Sequence, residues 1–404
     1  MPRPQGAKGF PRACKPGKIG KNNTGKRTLM PLPFLTGIRV IDLGQYLPGP
    51  HAAQLLADLG ADVVKVESPD GDPLRRLGPP DADGTTAAYK IFTAGKRVIR
   101  LDLKSAEGRA AFESLVVKAD ALVESYRPGV LDKLGLGRDR LRSLNPRLVH
   151  ASLSGWGYTG PYAQRAGHDL NYMAVGGGLD GSGTPDQPGM TFPPVADFAS
   201  AQQTALAVVG ALFGRERNGG PGGGQGCFLD LSIMETVLGW QGINLTAAAR
   251  GDLPNRGEAL LSGGAACYRI YQTADGRFVT LSALEPKFWR GFCEAVGRPD
   301  WIARQADPLP QTALTTELAA LFAGRDLAAW KDLLDPVDCC FEALPTIAEV
   351  AGHPHVAARG QVQVTTGPEP LVETLMGLRV DGGPPPARSP FRETDVAEVL
   401  AGWA

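Results

Sequence analysis

The 404-residue sequence predicts an α/β fold whose central parallel β-sheet is covered by helices on both faces. From residue 37 onward, short runs rich in β-branched residues alternate with patterns of helical periodicity. Such alternation is typical of βαβ units, whose strands are parallel and buried on both sides. Strands are predicted at 38–43, 63–66, 98–101, 121–123 and 149–153, and helices at 52–59 and 110–117.

Proline and glycine define the limits of the first helix. Pro48 and Pro50 stand at its expected start, where a missing N–H is tolerated, and Gly60 stands at its expected end. A second long helix is predicted over 204–217 from a run of apolar residues.

A glycine-rich segment at 218–226 is interpreted as a flexible linker that precedes a domain boundary. Beyond it the pattern changes to that of a smaller mixed domain, with a strand at 228–231 and a helix at 234–248. A hairpin is predicted at 265–281, with Asp275-Gly276 as its turn.

The composition is that of an ordinary globular protein, with 43% hydrophobic residues and 42 Lys plus Arg balancing 42 Asp plus Glu. We therefore expect no nucleic-acid partner and no membrane partner. Residues 1–34 carry eight Lys or Arg and no Asp or Glu, which predicts a disordered basic tail. The longest apolar run, 205–213, is too short to cross a bilayer. Six cysteines without C-x-x-C spacing indicate reduced thiols and a cytoplasmic protein.

Several motifs of other protein classes can be set aside. Gly176, Gly178 and Gly181 have the spacing of a dinucleotide-binding loop, but no strand leads into them and no helix pattern follows. A G-x-S-x-G elbow is missing, so a hydrolase nucleophile is not expected. His353 and His355 are close enough to suggest a metal, but the proline between them fits a turn better, and no metal site is expected.

Three residues could carry chemistry or could be purely structural. His168 lies beside Asp169, a carboxylate that could raise the basicity of the imidazole. Asp197 lies in an apolar stretch, where it is either the N-cap of the helix over 204–217 or a carboxyl group whose pKa is raised by burial. Glu285 fits the first turn of a helix, where a Glu interacts well with the helix dipole. Their spacing alone does not identify an enzyme.

Longer motifs say more when they are taken together. They include Pro48-Gly49-Pro50, the run LADLGADVVKVE at 56–67, LDLK at 101–104, YRPGV at 126–130, RAGHDLNY at 165–172, ADF at 196–198 and LEPKF at 284–288. In this combination the chain closely resembles the α-methylacyl-CoA racemases of the family III CoA-transferase (CaiB/BaiF-type) superfamily. The early motifs are shared by the whole superfamily, so the reaction type depends on the later ones.

This resemblance implies a Rossmann-like, doubly wound large domain formed by 35–226 together with 346–404, and a smaller α+β domain with its linkers at 227–345. It also implies an interlocked homodimer, an acyl-CoA substrate and no separate cofactor, because coenzyme A is part of the substrate. The residues that would contact coenzyme A are Leu101, Asp102, Leu103, Lys104, Arg127, Ala166, Gly167, Asp169, Leu170 and Asn171.

One position departs from the pattern of the animal racemases. Ser68 stands where they have an arginine that binds the nucleotide. Lys65, Arg75 or Arg76 could replace this arginine, and Lys96 could add positive charge or be a solvated surface residue.

The resemblance implies that His168 and Asp197 stand on opposite sides of the substrate's α-carbon, and that Glu285 tunes one of them. A thioester α-proton is weakly acidic, so its removal needs a base on each face and donors to the enolate oxygen, for which we expect backbone N–H groups near Asp197. The expected activity is racemisation or epimerisation of 2-methylacyl-CoA thioesters. Two alternatives stay open: CoA transfer between carboxylic acids with Asp197 as nucleophile, and a catalytically silent acyl-CoA-binding protein.

Overall fold

The computed structural model describes residues 32–218, 224–365 and 368–404. The predicted disordered tail lies outside these residues, apart from 32–34. The strands are β1 (Arg39–Leu43), β2 (Asp62–Glu67), β3 (Arg97–Arg100), β4 (Ala121–Glu124), β5 (Val149–Ser154), β6 (Gly183–Thr184), β7 (Gln187–Pro188), β8 (Phe228–Ser232), β9 (Tyr268–Gln272), β10 (Phe278–Ser282), β11 (Phe341–Ala343), β12 (Val362–Thr365), β13 (Leu371–Thr374) and β14 (Arg392–Glu393). Seven of them form one parallel sheet in the order β14-β3-β2-β1-β4-β5-β8.

Helices cover both faces of this sheet, which confirms the predicted Rossmann-like α/β fold. The helices are α1 (Pro48–Asp58), α2 (Ala87–Thr93), α3 (Ala106–Lys118), α4 (Val130–Lys133), α5 (Arg138–Leu144), α6 (Asp169–Val175), α7 (Val195–Asn218), α8 (Ile233–Leu238), α9 (Gly242–Arg250), α10 (Pro286–Ala295), α11 (Thr312–Phe322), α12 (Leu327–Leu334), α13 (Ile347–Val350), α14 (Pro354–Arg359) and α15 (Val396–Gly402). On one face α1 and α7 pack through Leu56 and Val208. On the other face α3, α5 and α15 pack through Phe112, Leu141 and Val399.

The strand order reverses direction between β1 and β4. From β1 the chain builds outward through β2 and β3, and from β4 it builds the other way through β5 and β8. The loops that follow two such neighbouring strands turn to opposite sides, so they leave a crevice at the carboxyl edge of the sheet. The topology therefore places the expected ligand site beyond the ends of β1 and β4.

Helix α7 is longer than the sequence predicts. It begins at Val195 rather than near residue 204, so Asp197 lies in its first turn and is not an N-cap of a helix that starts later. The extra turns bury the small residues Ala196 and Ala201, whose periodicity is weak because alanine carries little hydrophobic signal. The helix predicted at 234–248 is divided into α8 and α9 by a break at residues 239–241.

The smaller unit has its own sheet and its own core. Strands β9 and β10 form the predicted hairpin, β11 pairs with β10, and all three strands are antiparallel. Helices α10, α11 and α12 cover this sheet with a core rich in aromatic residues: Tyr271, Trp289, Phe292, Trp301, Phe322, Trp330 and Phe341.

The chain passes between the two units at different places from those predicted. The sequence predicts this strand within the small domain at 227–345, but β8 pairs with β5 and forms an edge of the large sheet. At the other end, β14 pairs with β3 and the Trp403 indole donates to Asp62 Oδ2 at 2.8 Å. The last residues therefore return to the large sheet. No helix among the described residues is long and apolar enough to cross a membrane.

Candidate active site

A cleft of about 490 Å³ opens at the carboxyl edge of the large sheet, beyond the ends of β1, β4 and β5. This is the position at which the strand order reverses. His168 and Asp197 both line the cleft. The other lining residues are Gln45, Tyr46, Pro48, Ser125, Tyr126, Arg127, Pro128, Val130, Leu153, Ser154, Gly155, Trp156, Ala163, Arg165, Ala166, Gly167, Tyr172 and Ile233.

Asp197 reaches the cleft from the first turn of α7. A helix N-terminus favours the carboxylate, but burial and the nearby negative charge of Asp169 act against it and raise the pKa of Asp197 to about 7. Burial is the larger of these two causes. At neutral pH the group is thus present in both forms, so it can take up a proton and also release one.

Asp169 contacts the first turn of α7. Its Oδ1 accepts the backbone N–H of Asp197 at 3.1 Å. This contact joins the start of α6 to the start of α7. It also occupies one of the N–H groups that were expected to bind an enolate oxygen, and the N–H of Phe198 donates to the Pro194 carbonyl at 3.2 Å. The expectation of enolate donors at these two positions is therefore wrong.

His168 is the N-cap residue of α6, and its side chain is exposed in the cleft. Its backbone N–H donates to Asn171 Oδ1 at 3.1 Å, which fixes the main chain at this point. The ring is therefore presented from a well-defined backbone position on one helix, while the Asp197 carboxyl group is presented from another.

The backbone before His168 is held by Tyr172. The Tyr172 hydroxyl donates to the Gly167 carbonyl at 2.6 Å, and its ring packs edge-on against Trp156 with 5.0 Å between centroids. A Cβ atom at Gly167 would lie 2.7 Å from the Tyr172 ring, which is too close for any larger residue. Only glycine therefore fits at this position of the motif, because it lets the turn before α6 approach the Tyr172 ring.

Two arginines supply positive charge in the cleft. Arg127 follows β4 and is exposed. The guanidinium group of Arg165 stacks over Tyr162, with its Cζ atom 4.0 Å from the ring centroid. Both could meet phosphate groups of a bound ligand, because guanidinium groups bind phosphate through several N–H donors. The predicted role of Arg127 near the phosphates stays a prediction.

Other predicted contact residues lie away from this cleft. Residues 101–104 follow β3, two strands from β1, and within them Leu103 is buried whereas Lys104 is exposed. Asp169, Leu170 and Asn171 belong to α6, behind His168. Glu285 is the N-cap residue of α10 in the smaller unit and does not line the cleft of its own chain. The proposed roles of these residues toward coenzyme A or catalysis stay predictions.

Ser68 stands where the animal racemases have an arginine. Most of the cations that could replace that arginine are not accessible to a ligand. Lys65 and Lys96 are each 1% exposed and are paired with carboxylates, so Lys96 is not a surface residue. Arg75 is 7% exposed and is bonded to Glu67 at 2.8 Å. Of the three named substitutes for the arginine, Arg76 is the exposed one.

The sequence did not single out several lining residues. Five of them follow the end of a parallel strand within three residues: Gln45, Tyr46, Ser125, Tyr126 and Trp156. Their position just after a strand could have identified them as candidate ligand contacts, because ligands of open α/β sheets bind beyond the carboxyl ends of the strands, where the strand order reverses. Using it requires the strand order, which a single sequence does not provide. Among the described residues, no group of three or more His, Cys, Asp or Glu could hold a metal ion.

Fold and site together define a class: an α/β protein with a ligand cleft at the reversal point, in which an imidazole and a carboxyl group of raised pKa lie close to cationic side chains. Residues 35–391 match the family model described as CoA-transferase family III. The chain belongs to this family.

Its relatives catalyse more than one reaction. The human α-methylacyl-CoA racemase is 33% identical over 382 residues, which cover 91% of this chain and 92% of the relative. The succinyl-CoA–L-malate CoA-transferase β subunit of Chloroflexus aurantiacus is 33% identical over 367 residues, which cover 87% of each chain. A crystal structure of a CaiB/BaiF family protein from Brucella suis has a TM-score of 0.79 at 30% identity and covers 93% of this chain and 100% of its own. Sequence identity therefore does not separate racemase from transferase.

Proposed function

We propose that this chain is a racemase or epimerase of 2-methylacyl-CoA thioesters and acts by 1,1-proton transfer through an enolate. One observation carries the proposal: an exposed imidazole, His168, and a carboxyl group with a pKa of about 7, Asp197, line one cleft from two different helices. A group whose pKa lies near the working pH is suited both to take a proton and to return it. A racemase requires this, because each group is the base for one enantiomer and the acid for the other.

The proton transfer balances without a further reactant. For one enantiomer the Asp197 carboxylate takes the α-proton, and the C–H electron pair moves into the thioester carbonyl to form the enolate. The His168 imidazolium then returns a proton to the opposite face of the α-carbon. For the other enantiomer the two groups exchange roles, so that both products arise from one cleft.

The enolate oxygen needs a donor, and the loop after β4 brings two suitable side chains to the cleft. Burial raises the pKa of Tyr126 to about 12, so its hydroxyl stays protonated at neutral pH and can donate a hydrogen bond. Arg127, the next residue, supplies a positive charge from the same loop. We assign the enolate contact to this pair instead of the backbone near Asp197.

A CoA-transferase is the second candidate, and the position of Asp197 favours it as well. In that reaction the Asp197 carboxylate attacks the thioester carbonyl, the CoA thiolate leaves and an acyl anhydride forms on Asp197. The thiolate then attacks the Asp197 carbonyl of this anhydride, which releases the donor acid and leaves CoA as a thioester of Asp197. The acceptor carboxylate displaces the thiolate to form a second anhydride, and attack of the thiolate on the acceptor carbonyl gives the new acyl-CoA and frees Asp197. This chemistry needs Asp197 ionised and gives His168 no proton-transfer role. The raised pKa of Asp197 and the imidazole in the same cleft support racemisation more strongly.

We propose a homodimer whose active sites are shared between subunits. Helix α9 has no buried residue, and its Ile243 is 85% exposed. Met190 and Phe192 are also strongly exposed, at 80% and 94%. Large apolar side chains that are exposed in a single subunit are often covered at a protein–protein interface. Glu285, which is absent from the cleft of its own chain, would then act in the cleft of the second copy.

The reaction is tested by incubating the purified chain with a 2-methylacyl-CoA in deuterated water and following the α-carbon by mass spectrometry. We expect deuterium at that carbon and equilibration of the two enantiomers. Absence of exchange with every branched acyl-CoA tried, together with movement of CoA to an added carboxylate, would establish the transferase instead.

Two variants separate the roles of the proposed bases. Both variants should abolish racemisation, and each should leave slow exchange of the α-proton from one enantiomer, because each base serves one face: Asp197 remains in His168→Ala, and His168 remains in Asp197→Asn. An acyl adduct trapped on Asp197 with hydroxylamine would contradict the proton-transfer assignment.

A further inference from the structure

Two lysines of the large domain are fully buried, and the proposed reaction gives neither of them a role. Lys65 and Lys96 are each 1% exposed. A buried ammonium is strongly unfavourable unless it is paired and hydrogen-bonded. Lys65 pairs with Asp72 at 2.8 Å, and Lys96 pairs with Asp42 at 2.7 Å. Both carboxylates are buried as well, so a group of four charges lies beneath the cleft without contacting solvent.

Each lysine also donates to one end of the same loop. We call residues 44–50, which follow β1 and include the first three residues of α1, the cleft loop. Lys65 Nζ donates to the Gly44 carbonyl at 2.7 Å, and Lys96 Nζ donates to the Pro50 carbonyl at 2.7 Å. The two ammonium groups thus bind the first and last carbonyls of the cleft loop.

The two carboxylates hold N–H groups of the cleft loop. Asp42 Oδ1 accepts the Gly44 N–H at 2.8 Å, and Asp72 Oδ1 accepts the Tyr46 N–H at 3.3 Å. Further along, the Gln45 N–H donates to the Ser125 hydroxyl at 2.8 Å, which ties the loop to the segment after β4. Side chains from three different segments, Asp42, Asp72 and Ser125, therefore fix the main chain of the cleft loop.

The cleft loop contains a strained residue that lines the cleft. Tyr46 has φ of 60°, in the left-handed region that residues with a side chain seldom adopt. Strain of this kind persists only where the surroundings over-determine the conformation, and it is concentrated at functional sites. Tyr46 and its neighbours Gln45 and Pro48 form the wall of the cleft on the β1 side.

We infer that Lys65 and Lys96 are positioning residues for acyl-CoA binding: they hold the cleft loop in the strained shape that presents Tyr46 to the ligand. This inference rests on the proposed function for its substrate. Neither lysine touches the ligand, so their effect is on the binding surface and not on proton transfer.

A second buried ion pair provides a matched control. Arg388 pairs with Asp58 at 2.6 Å, and both side chains are 7% exposed. Arg388 also donates to one backbone carbonyl, that of Thr374, at 2.8 Å. It therefore repeats the chemistry of Lys96, a buried cation bonded to a carboxylate and a carbonyl, without contacting the cleft loop.

The test compares the double variants Lys96→Met/Asp42→Asn and Arg388→Met/Asp58→Asn in the full chain. Each removes both charges of one pair, so neither partner of that pair is left as an unpaired buried charge, and Asn at 42 keeps an oxygen for the Gly44 N–H. For Lys96→Met/Asp42→Asn we expect KM for a 2-methylacyl-CoA to rise about tenfold while kcat changes by less than about threefold. The Arg388→Met/Asp58→Asn control should change neither constant by more than about twofold.

A second measurement does not depend on the reaction. Hydrogen–deuterium exchange of the peptide that contains Gln45 and Tyr46 should become at least about tenfold faster in Lys96→Met/Asp42→Asn and stay unchanged in the control. Lys96→Arg carries the same expectation, because the larger, planar guanidinium has to displace its surroundings in the fully buried space that the Lys96 ammonium occupies between Asp42 and Pro50. If the double variant does not fold, Lys96→Arg is used in its place for both measurements.

The outcomes distinguish this inference from the proposed function. Equal effects of the two double variants on KM and exchange, or no effect of either, would overturn the positioning role. A wild-type chain without activity toward any 2-methylacyl-CoA would overturn the proposed function alone. In that case the exchange measurement still decides whether the lysines hold the loop.

Discussion

At the scale of single residues, Asp197 is held in an environment that favours its neutral form. Burial and the charge of Asp169 raise its pKa to about 7, although it lies in the first turn of a helix. The unfolded chain has no such environment, so the pKa of Asp197 there is near the ordinary 3.8. Folding therefore disfavours ionisation of this group, and the stability of the chain depends on pH.

The sign of this dependence gives a prediction. The contribution of Asp197 to stability is complete below the unfolded pKa and is lost as the pH rises through about 7. Asp197→Asn cannot ionise, so its melting temperature should exceed that of wild type by roughly 2 °C or more at about pH 8, with a smaller difference at about pH 5. Asp186→Asn, at an exposed carboxylate, is the control for a general charge effect. A constant difference at all pH values would show that ionisation of Asp197 is not the cause.

At the scale of elements, α6 and the turn before it depend on one close contact. The Tyr172 ring leaves no room for a Cβ atom at Gly167, and its hydroxyl holds the Gly167 carbonyl. Displacement of this turn would move the His168 ring, which lies at the N-cap of α6. Catalysis is sensitive to such displacements, since a shift of about 1 Å can lower a rate about a hundredfold.

We therefore expect Gly167→Ala to lower the exchange rate by about 10- to 100-fold, because the turn must move away from Tyr172. Gly210→Ala is a matched control: Gly210 lies within α7, and a Cβ atom there would meet nothing within 4 Å. That control should keep full activity and gain about 0.5–1 kcal/mol of stability. Full activity of Gly167→Ala would show that the turn does not position His168.

The sequence predicts elements better than the contacts between them. Periodicity located β1, β5, α1 and the hairpin of the smaller unit, because each has a strong apolar or turn signal of its own. Periodicity did not locate the true start of α7, since alanine and serine give a weak hydrophobic pattern. The assignment of β8 also failed, because the pairing of an edge strand depends on residues far along the chain. Likewise, no local pattern shows that Lys96 is buried against Asp42, 54 residues away.

At the scale of the whole molecule, the exposed apolar residues of α9 need an explanation. None of its residues is buried, although it carries Ile243 and Leu245. A second copy of the chain would cover them and would bring Glu285 toward a cleft. Assembly and activity should then depend on each other.

This dependence is measurable. Light scattering should give a mass of twice 42.6 kDa for the wild type. Ile243→Asp should shift the chain toward the monomer and lower the exchange activity, because a charge in an apolar interface is unfavourable. Val117→Asp, at a residue of α3 that is 55% exposed, is the control and should remain dimeric. A fully active monomer would contradict shared active sites.

The return of the C-terminus to the large sheet has a consequence for synthesis on the ribosome. Strand β14 and helix α15 are the last elements of the chain, yet they complete one edge and one face of a sheet that begins with β1. The core of the smaller unit, in contrast, lies within the continuous stretch from Ala265 to Phe341. Since domains fold as units, the smaller unit can fold while translation continues, whereas the large domain has to wait for β14 and α15 to leave the exit tunnel. Until β14 has paired with β3, the nascent chain exposes the unfinished edge of its large sheet, and an exposed edge strand can pair with another chain.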